Sequence, residues 1–146
     1  MLHVDVFLLS KLGVPMRCYV LPVLVLLGLC VTKRALSSEL HLAATGRTPY
    51  VIVTPAKPIP EEATAADWLA TAIYQVTGAQ VPIKAEDATD LPTTRLLVGD
   101  TAFARQHGIE VGRLSPEEWR IKSIGHALIL AGGRPRGTIY AVCEFL

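Results

Sequence analysis

The chain has 146 residues, of which 51% are hydrophobic and 18% charged, and its formal net charge is +1 at pH 7. This length is enough for one domain with a hydrophobic core and too short for a large multidomain enzyme. Composition and charge therefore exclude a strongly basic nucleic-acid-binding chain and a large self-contained enzyme.

The N-terminal segment predicts an exported protein, periplasmic or extracellular. Residues Tyr19–Val31 have the sequence YVLPVLVLLGLCV, with no charge. This run is shorter than the about 20 apolar residues of a membrane span and suits the core of a signal peptide. Arg17 precedes it, and Ala35-Leu36-Ser37 provides small residues before a cleavage site. We expect residues 1–37 to be a cleaved signal peptide, with an uncleaved membrane anchor as the alternative.

Removal of residues 1–37 leaves ten basic and twelve acidic residues, a net charge of about −2. This balance predicts no nucleic-acid partner. Cys143 is then the only remaining cysteine, so no disulfide framework is expected. Its place on an apolar helical stripe, with no histidine near it in sequence, predicts a small buried hydrophobe rather than a nucleophile.

The first half of the domain predicts a strand, a helix and a second strand after a polar linker at 38–49. The run Tyr50–Thr54 is rich in β-branched and aromatic residues, and the prolines that follow end it. A helix is expected from Pro60 to Thr77, with Gly78 as its left-handed cap. A short strand follows at Val81–Lys84. The apolar residues of the helix recur at helical spacing and predict that the stripe carrying Trp68 packs on the sheet: Ala65, Trp68, Leu69, Ala72, Ile73 and Val76.

The second half predicts a strand at Arg95–Gly99 after an acidic loop at 85–94, and a short helix at Ala102–His107 that Asp100 or Thr101 caps. A hairpin follows, in which Trp119 and Ile121 alternate with charged residues and Gly125 forms the turn. The almost wholly apolar run His126–Ala131 predicts a strand covered on both faces.

The last helix follows a glycine-rich turn and carries Ile139, Val142, Cys143 and Leu146 on one stripe. Because no C-terminal capping residue follows, we expect the helix to be truncated and the chain to be a fragment of a longer protein. The predicted order is β-α-β-β-α-β-β-α. This order predicts an α/β (α+β) domain at 50–146, with a mixed sheet and helices packed mainly on one face.

Two stretches of this domain resemble a known family. The sequence LILAGGRPRGTIYAVCEFL at 128–146 and the sequence AADWLATAIYQVTGAQVPI at 65–83 are similar to the small α/β domain that precedes the catalytic barrel in α-glucuronidases and family 20 β-N-acetylhexosaminidases. Large exported glycosidase-like bacterial proteins carry a similar domain. The resemblance covers about Tyr50 to Leu146, and the Pro-Arg-Gly-Thr-x-Tyr turn is its most specific part.

This resemblance implies a hexosaminidase domain-2-like fold and a non-catalytic accessory role in an exported glycoside hydrolase that degrades polysaccharides. The expected partners are the protein's own catalytic barrel, which this chain lacks, and the polysaccharide or oligosaccharide substrate of the parent protein. No catalytic residue, cofactor or metal ligand is carried over. A free-standing exported carbohydrate-binding or interaction module is the alternative.

The glycine-rich turn at 132–137 is the candidate binding site, with Arg134, Arg136 and Gly137 as its residues. A turn between a strand and a helix N-terminus can hold a phosphate or the carboxylate of a uronic acid. The turn lacks the lysine and the spacing of nucleotide-binding loops. The favoured interpretation is a tight turn in which Arg136 contacts the next domain.

The remaining candidates favour structural roles. Glycoside hydrolysis needs two facing carboxylates, one with a raised pKa, whereas most acids here lie at loops or element ends and predict solvated surface: Glu61, Glu62, Asp87, Asp90, Glu117 and Glu118. Asp100 is the best-placed acid, although a helix cap is expected. The three histidines that follow the predicted signal peptide, His41, His107 and His126, are scattered and have no metal-ligand spacing. Trp68 and Trp119 are expected in the core rather than as sugar-stacking platforms.

Overall fold

The computed structural model describes residues 41–146, so the predicted signal peptide and residues 38–40 lie outside the described residues. Five strands and three α-helices follow in the predicted order β-α-β-β-α-β-β-α. The elements are β1 (Val51–Thr54), α1 (Pro60–Thr77), β2 (Ile83–Ala85), β3 (Arg95–Val98), α2 (Ala102–Gln106), a 3-10 turn (Val111–Arg113), β4 (Trp119–Ile124), β5 (Ala127–Gly132) and α3 (Gly137–Phe145). Among these residues, no helix is long and apolar enough to cross a bilayer.

The strands form one mixed sheet with the order β2-β1-β3-β5-β4. β1 pairs in parallel with β2 and with β3, and β3 pairs in parallel with β5. Only β4 runs antiparallel, paired with β5 through the hairpin that Gly125 closes at φ +57. The mixed sheet with its helices confirms the predicted α/β class.

The connection from β1 to β2 contains α1 and covers one face of the sheet, whereas the connection that follows β3 contains α2 and covers the other face. The neighbouring strands β1 and β3 are thus followed by connections on opposite faces, and a crevice can form between their carboxyl ends. In open α/β sheets this is the place where ligands bind most often. It also brings the loops after β1, β3 and β5 to the same edge of the sheet.

Two hydrophobic cores cover the two faces of the sheet. On one face α1 and α3, the two longer helices, pack against alternate residues of the central strands, among them Ile52, Leu96 and Leu130. On the other face the short α2 and the 3-10 turn pack on the intervening residues, such as Val53, Leu97 and Ile129. All six residues of β5 are buried, as its apolar sequence predicts for a strand covered on both faces.

The prediction that the Trp68 stripe of α1 packs on the sheet is right for Ala65, Leu69 and Ile73 and wrong for Trp68 and Val76. The side of α1 that faces the sheet carries Glu62, Ala65, Ala66, Leu69 and Ile73, while Trp68 is 50% exposed and Val76 is 86% exposed. Trp68 lies one residue before Leu69, about 100° around the helix, and so points away from the sheet. Val76 lies one turn beyond Ile73, where Leu42 and the end of α3 are its neighbours.

The predicted burial of Cys143 is also wrong. The packed side of α3 carries Gly137, Thr138, Ala141 and Val142, and Cys143 is a free, exposed thiol. Since Cys143 directly follows the fully buried Val142, it lies about 100° away from the packed side. Trp119 is half-buried and packs against the core that α1 and α3 cover.

Candidate functional site

Three charged residues, one from the first turn of α1 and two from loops, meet at the carboxyl edge of the sheet. Glu62 is the third residue of α1, Asp100 follows β3, and Arg134 follows β5. The Arg134 guanidinium lies 3.4 Å from Glu62 Oε1 and 3.7 Å from Asp100 Oδ2. We call these three residues the Glu62 cluster.

Glu62 is the centre of the cluster and is 0% exposed. Its Oε1 accepts a hydrogen bond from the Asp100 backbone N–H at 3.1 Å, and its Oε2 accepts one from the Ile59 backbone N–H at 3.1 Å. A buried carboxylate is stable only when it is paired and hydrogen-bonded. Here both oxygens are bonded to donors of the domain itself. The prediction that Glu62 is solvated surface is wrong.

Gly99 is required for this arrangement because its backbone φ is +91 and a Cβ atom there would lie 2.8 Å from Glu62 Cδ. Any other residue would be strained in this backbone conformation and would push the carboxyl group away. The buried position of the Glu62 carboxyl group therefore depends on the absence of a side chain at residue 99.

Asp100 forms ion pairs rather than a helix cap. Its Oδ1 accepts a hydrogen bond from Arg105 Nη1 at 2.8 Å, and its Oδ2 faces Arg134. Thr101 caps α2 instead, since its Oγ1 accepts the Ala104 backbone N–H at 3.2 Å. Two carboxylates and two guanidinium groups thus meet at this edge, and their charges balance.

The glycine-rich turn uses its own backbone donors internally. Gly132 N–H donates to Thr138 Oγ1 at 3.2 Å, Gly133 N–H to the Glu118 carbonyl at 2.8 Å, and Gly137 N–H to the Gly133 carbonyl at 2.7 Å. These bonds are those of a tight strand-to-helix turn, and the three N–H groups are not free to hold an anion.

The predicted site residues of this turn do not converge. Arg134 points into the Glu62 cluster, whereas Arg136 forms an exposed ion pair with Glu117 at 3.1 Å. Gly137 is buried at the first turn of α3. An anion or interdomain contact by Arg134, Arg136 and Gly137 stays a prediction.

The histidines and the cysteine in the part of the chain that the structure describes do not form a metal-binding group. His107 Nδ1 lies 2.8 Å from the Phe103 carbonyl, and its ring packs on the Phe103 ring with 4.2 Å between centroids. No group of three or more His, Cys, Asp or Glu side chains in residues 41–146 has metal-binding geometry.

Glu62 was not predicted to be buried, although its place in the helix is informative. A glutamate at the third position of a helix that begins with proline commonly bonds to the backbone N–H before the helix, as half of a capping box. Gly99-Asp100 after an apolar strand provides the second donor. Arg134 provides the balancing charge, which no local pattern connects to residue 62.

No protein-family model matches the chain, and no curated protein matches it either.

Proposed function

We propose that this chain contains the non-catalytic accessory domain of an exported glycoside hydrolase similar to α-glucuronidases. In this role the domain supports a catalytic barrel and takes part in polysaccharide degradation through its parent protein. The resemblance at 65–83 and 128–146 supplies the substrate class, and the predicted signal peptide supplies the exported location.

The surface at the C-terminal ends of α1 and α3 carries this proposal. Val76 and Leu146 are 86% and 59% exposed on this surface, and the partly buried Leu42, Ala72 and Phe145 adjoin them. Exposed apolar surface of this kind marks a place where another protein surface packs. We infer that the barrel covers it.

The bonding of the acids in the described region agrees with a supporting role. Glu62 and Asp100 are held by internal donors, and Glu117 and Asp90 are exposed partners of basic side chains. A retaining or inverting glycosidase instead keeps two carboxylates facing a sugar, about 5–10 Å apart. In the proposed enzyme that pair lies in the barrel.

The test is the gene sequence downstream of the codon for Leu146. We expect several hundred codons with alternating strand and helix patterns and Asp or Glu residues at strand ends. A stop codon after Leu146, or a continuation without the barrel pattern, would contradict the accessory-domain proposal.

A free-standing carbohydrate-binding module is the second candidate, and the half-exposed ring of Tyr74 favours it. Glycan binding by the purified chain, without a downstream barrel in the gene, would support this candidate.

A further inference from the structure

Tyr74, near the C-terminal end of α1, lies between two surface hollows with its side chain 53% exposed. Tyr74 and Gln80 line both hollows. The first hollow is completed by Thr71, Val81 and Pro82 among others, and the second by Arg47, Thr48 and Gly78 among others. We call Tyr74, Gln80 and Arg47 the Tyr74 surface.

Arg47 differs from the other arginines of the described region because its guanidinium group has neither an ion pair nor a ring contact within residues 41–146. Arg95 packs over the Phe103 ring at 5.0 Å. The remaining arginines all form ion pairs with carboxylates: Arg105, Arg113, Arg120, Arg134 and Arg136. The side chains of Tyr74 and Gln80 likewise form no hydrogen bond within 41–146. The Tyr74 surface therefore offers an aromatic ring, an amide and a positive charge to a ligand.

The backbone that carries these groups is held in place. Arg47 and Ala44 exchange two backbone hydrogen bonds, of 2.9 and 3.0 Å. On the other side, Gly78 ends α1 in the left-handed conformation, and the Ala79 N–H donates to Thr77 Oγ1 at 3.1 Å. Groups on an ordered backbone lose less entropy when a ligand binds.

We propose that the Tyr74 surface binds an acidic sugar unit of a polysaccharide. The apolar C–H face of the sugar ring packs on the Tyr74 ring, whose face carries negative potential. The Arg47 guanidinium pairs with the sugar carboxylate, because both groups are planar and can form two parallel hydrogen bonds. The Gln80 amide forms hydrogen bonds with hydroxyl groups of the sugar ring. This inference rests on the proposed function for its ligand class, and it adds the charge of the sugar and the residues that bind it.

The experiment is calorimetric titration of the full chain with a glucuronic acid-bearing oligosaccharide and with the same oligosaccharide carrying glucose in its place. We expect the acidic sugar to bind about tenfold more tightly, because a hydrogen bond to a charged group is lost with the neutral one. Raising the salt concentration should reduce this preference, since the Arg47 charge is exposed.

Variants separate the contributions of the three side chains. Tyr74→Ala should weaken both sugars about tenfold or more, whereas Tyr74→Phe should keep the binding, because the ring remains. Arg47→Gln should remove the preference for the acidic sugar and leave the neutral one unchanged. Trp68→Ala is the matched control, since Trp68 is an equally exposed aromatic residue of α1 that lines neither hollow.

Three results would overturn the inference: binding of neither sugar, equal affinity for both, or equal losses in the Tyr74→Ala and Trp68→Ala variants. None of these depends on the gene downstream of Leu146. Failure of the sugar site is therefore distinguishable from failure of the accessory-domain proposal.

Discussion

The two ends of α1 differ in the burial of their side chains and in the partners that their polar groups have. At the N-terminal end Glu62 is completely buried, and each carboxylate oxygen accepts a backbone hydrogen bond. At the C-terminal end the side chains of Tyr74 and Val76 are exposed, and Arg47, which lines a hollow with Tyr74, has no ion pair in residues 41–146. The same helix therefore holds the domain together at one end and presents unpaired groups to its surroundings at the other.

The two ends of α1 would therefore differ in what it costs in free energy to bind a partner there. A group that already has internal partners must lose them before it binds a ligand. The conventional ligand position of an open α/β sheet, its carboxyl edge, is here filled by the Glu62 cluster. At the C-terminal end of α1 a ligand could bind the Tyr74 surface without first breaking internal hydrogen bonds or ion pairs of these side chains.

The largest expected effect at the N-terminal end of α1 is that of Glu62→Ala. This change removes the acceptor of two backbone N–H groups and leaves a cavity, so we expect a loss of about 3 kcal/mol in the free energy of unfolding. Urea unfolding followed by circular dichroism measures it. Asp67→Ala, at an exposed position of the same helix, is the control and should change stability by less than about 0.5 kcal/mol. Similar losses in both variants would refute the central position of Glu62.

A smaller loss, of about 2 kcal/mol, is expected for Gly99→Ala, because the new methyl group adds a contact with Glu62 to the cost of a positive φ. Gly78→Ala isolates the backbone cost, because φ is +70 there and no atom lies within 4 Å of the place that a Cβ would take. We expect Gly78→Ala to cost about 1 kcal/mol. Thermal unfolding compares the two, and an equal loss would show that the contact with Glu62 is unimportant.

At the other end of α1, Val76→Ser should change the stability of the chain by less than about 0.5 kcal/mol, because the side chain is already exposed. Ile73→Ala, one turn earlier and buried, should cost about 3 kcal/mol. Denaturant unfolding of both variants tests whether the packed side of α1 ends between these residues. A large loss for Val76→Ser would place Val76 in the core.

The smallest effect concerns Asp90, whose ion pair with Lys84 lies on the surface and lowers the pKa of the Asp90 carboxyl below its ordinary value of 3.8. A lowered folded-state pKa stabilises the fold above the unfolded pKa, and the gain is lost as the pH falls through the folded value. The stability difference between wild type and Asp90→Asn should therefore be small at neutral pH and vanish in acid. Unfolding curves between about pH 2 and 7, in steps of about 1 unit, measure it, and a difference that grows in acid would contradict the assignment.

The sequence predicted the elements well because each is defined by local chemistry. Proline at the start of α1 and glycine at its end set the helix bounds within a residue. The apolar run of β5 identified a strand buried on both faces, and Gly125 identified the hairpin turn. These features depend on backbone geometry and on residues adjacent in the chain.

The burial of individual side chains could not be predicted equally well, because it depends on how far the covering layer extends. Periodicity placed Trp68 and Val76 on a broad apolar arc, and only the part that includes Leu69 and Ile73 faces the sheet. The Glu62 cluster depends on loops brought together by the order of the strands. That order follows from tertiary packing and not from any local pattern.

The position of β1 inside the sheet has a consequence for the synthesis of the chain. β1 leaves the ribosome first, yet its neighbours, β2 and β3, begin only at residues 83 and 95, and β3 in turn needs β5 at residue 127. Parallel strands so far apart in sequence pair late. A nascent chain of this order cannot complete its sheet until β5 has left the ribosome, whereas each helix can form as soon as its own residues are available.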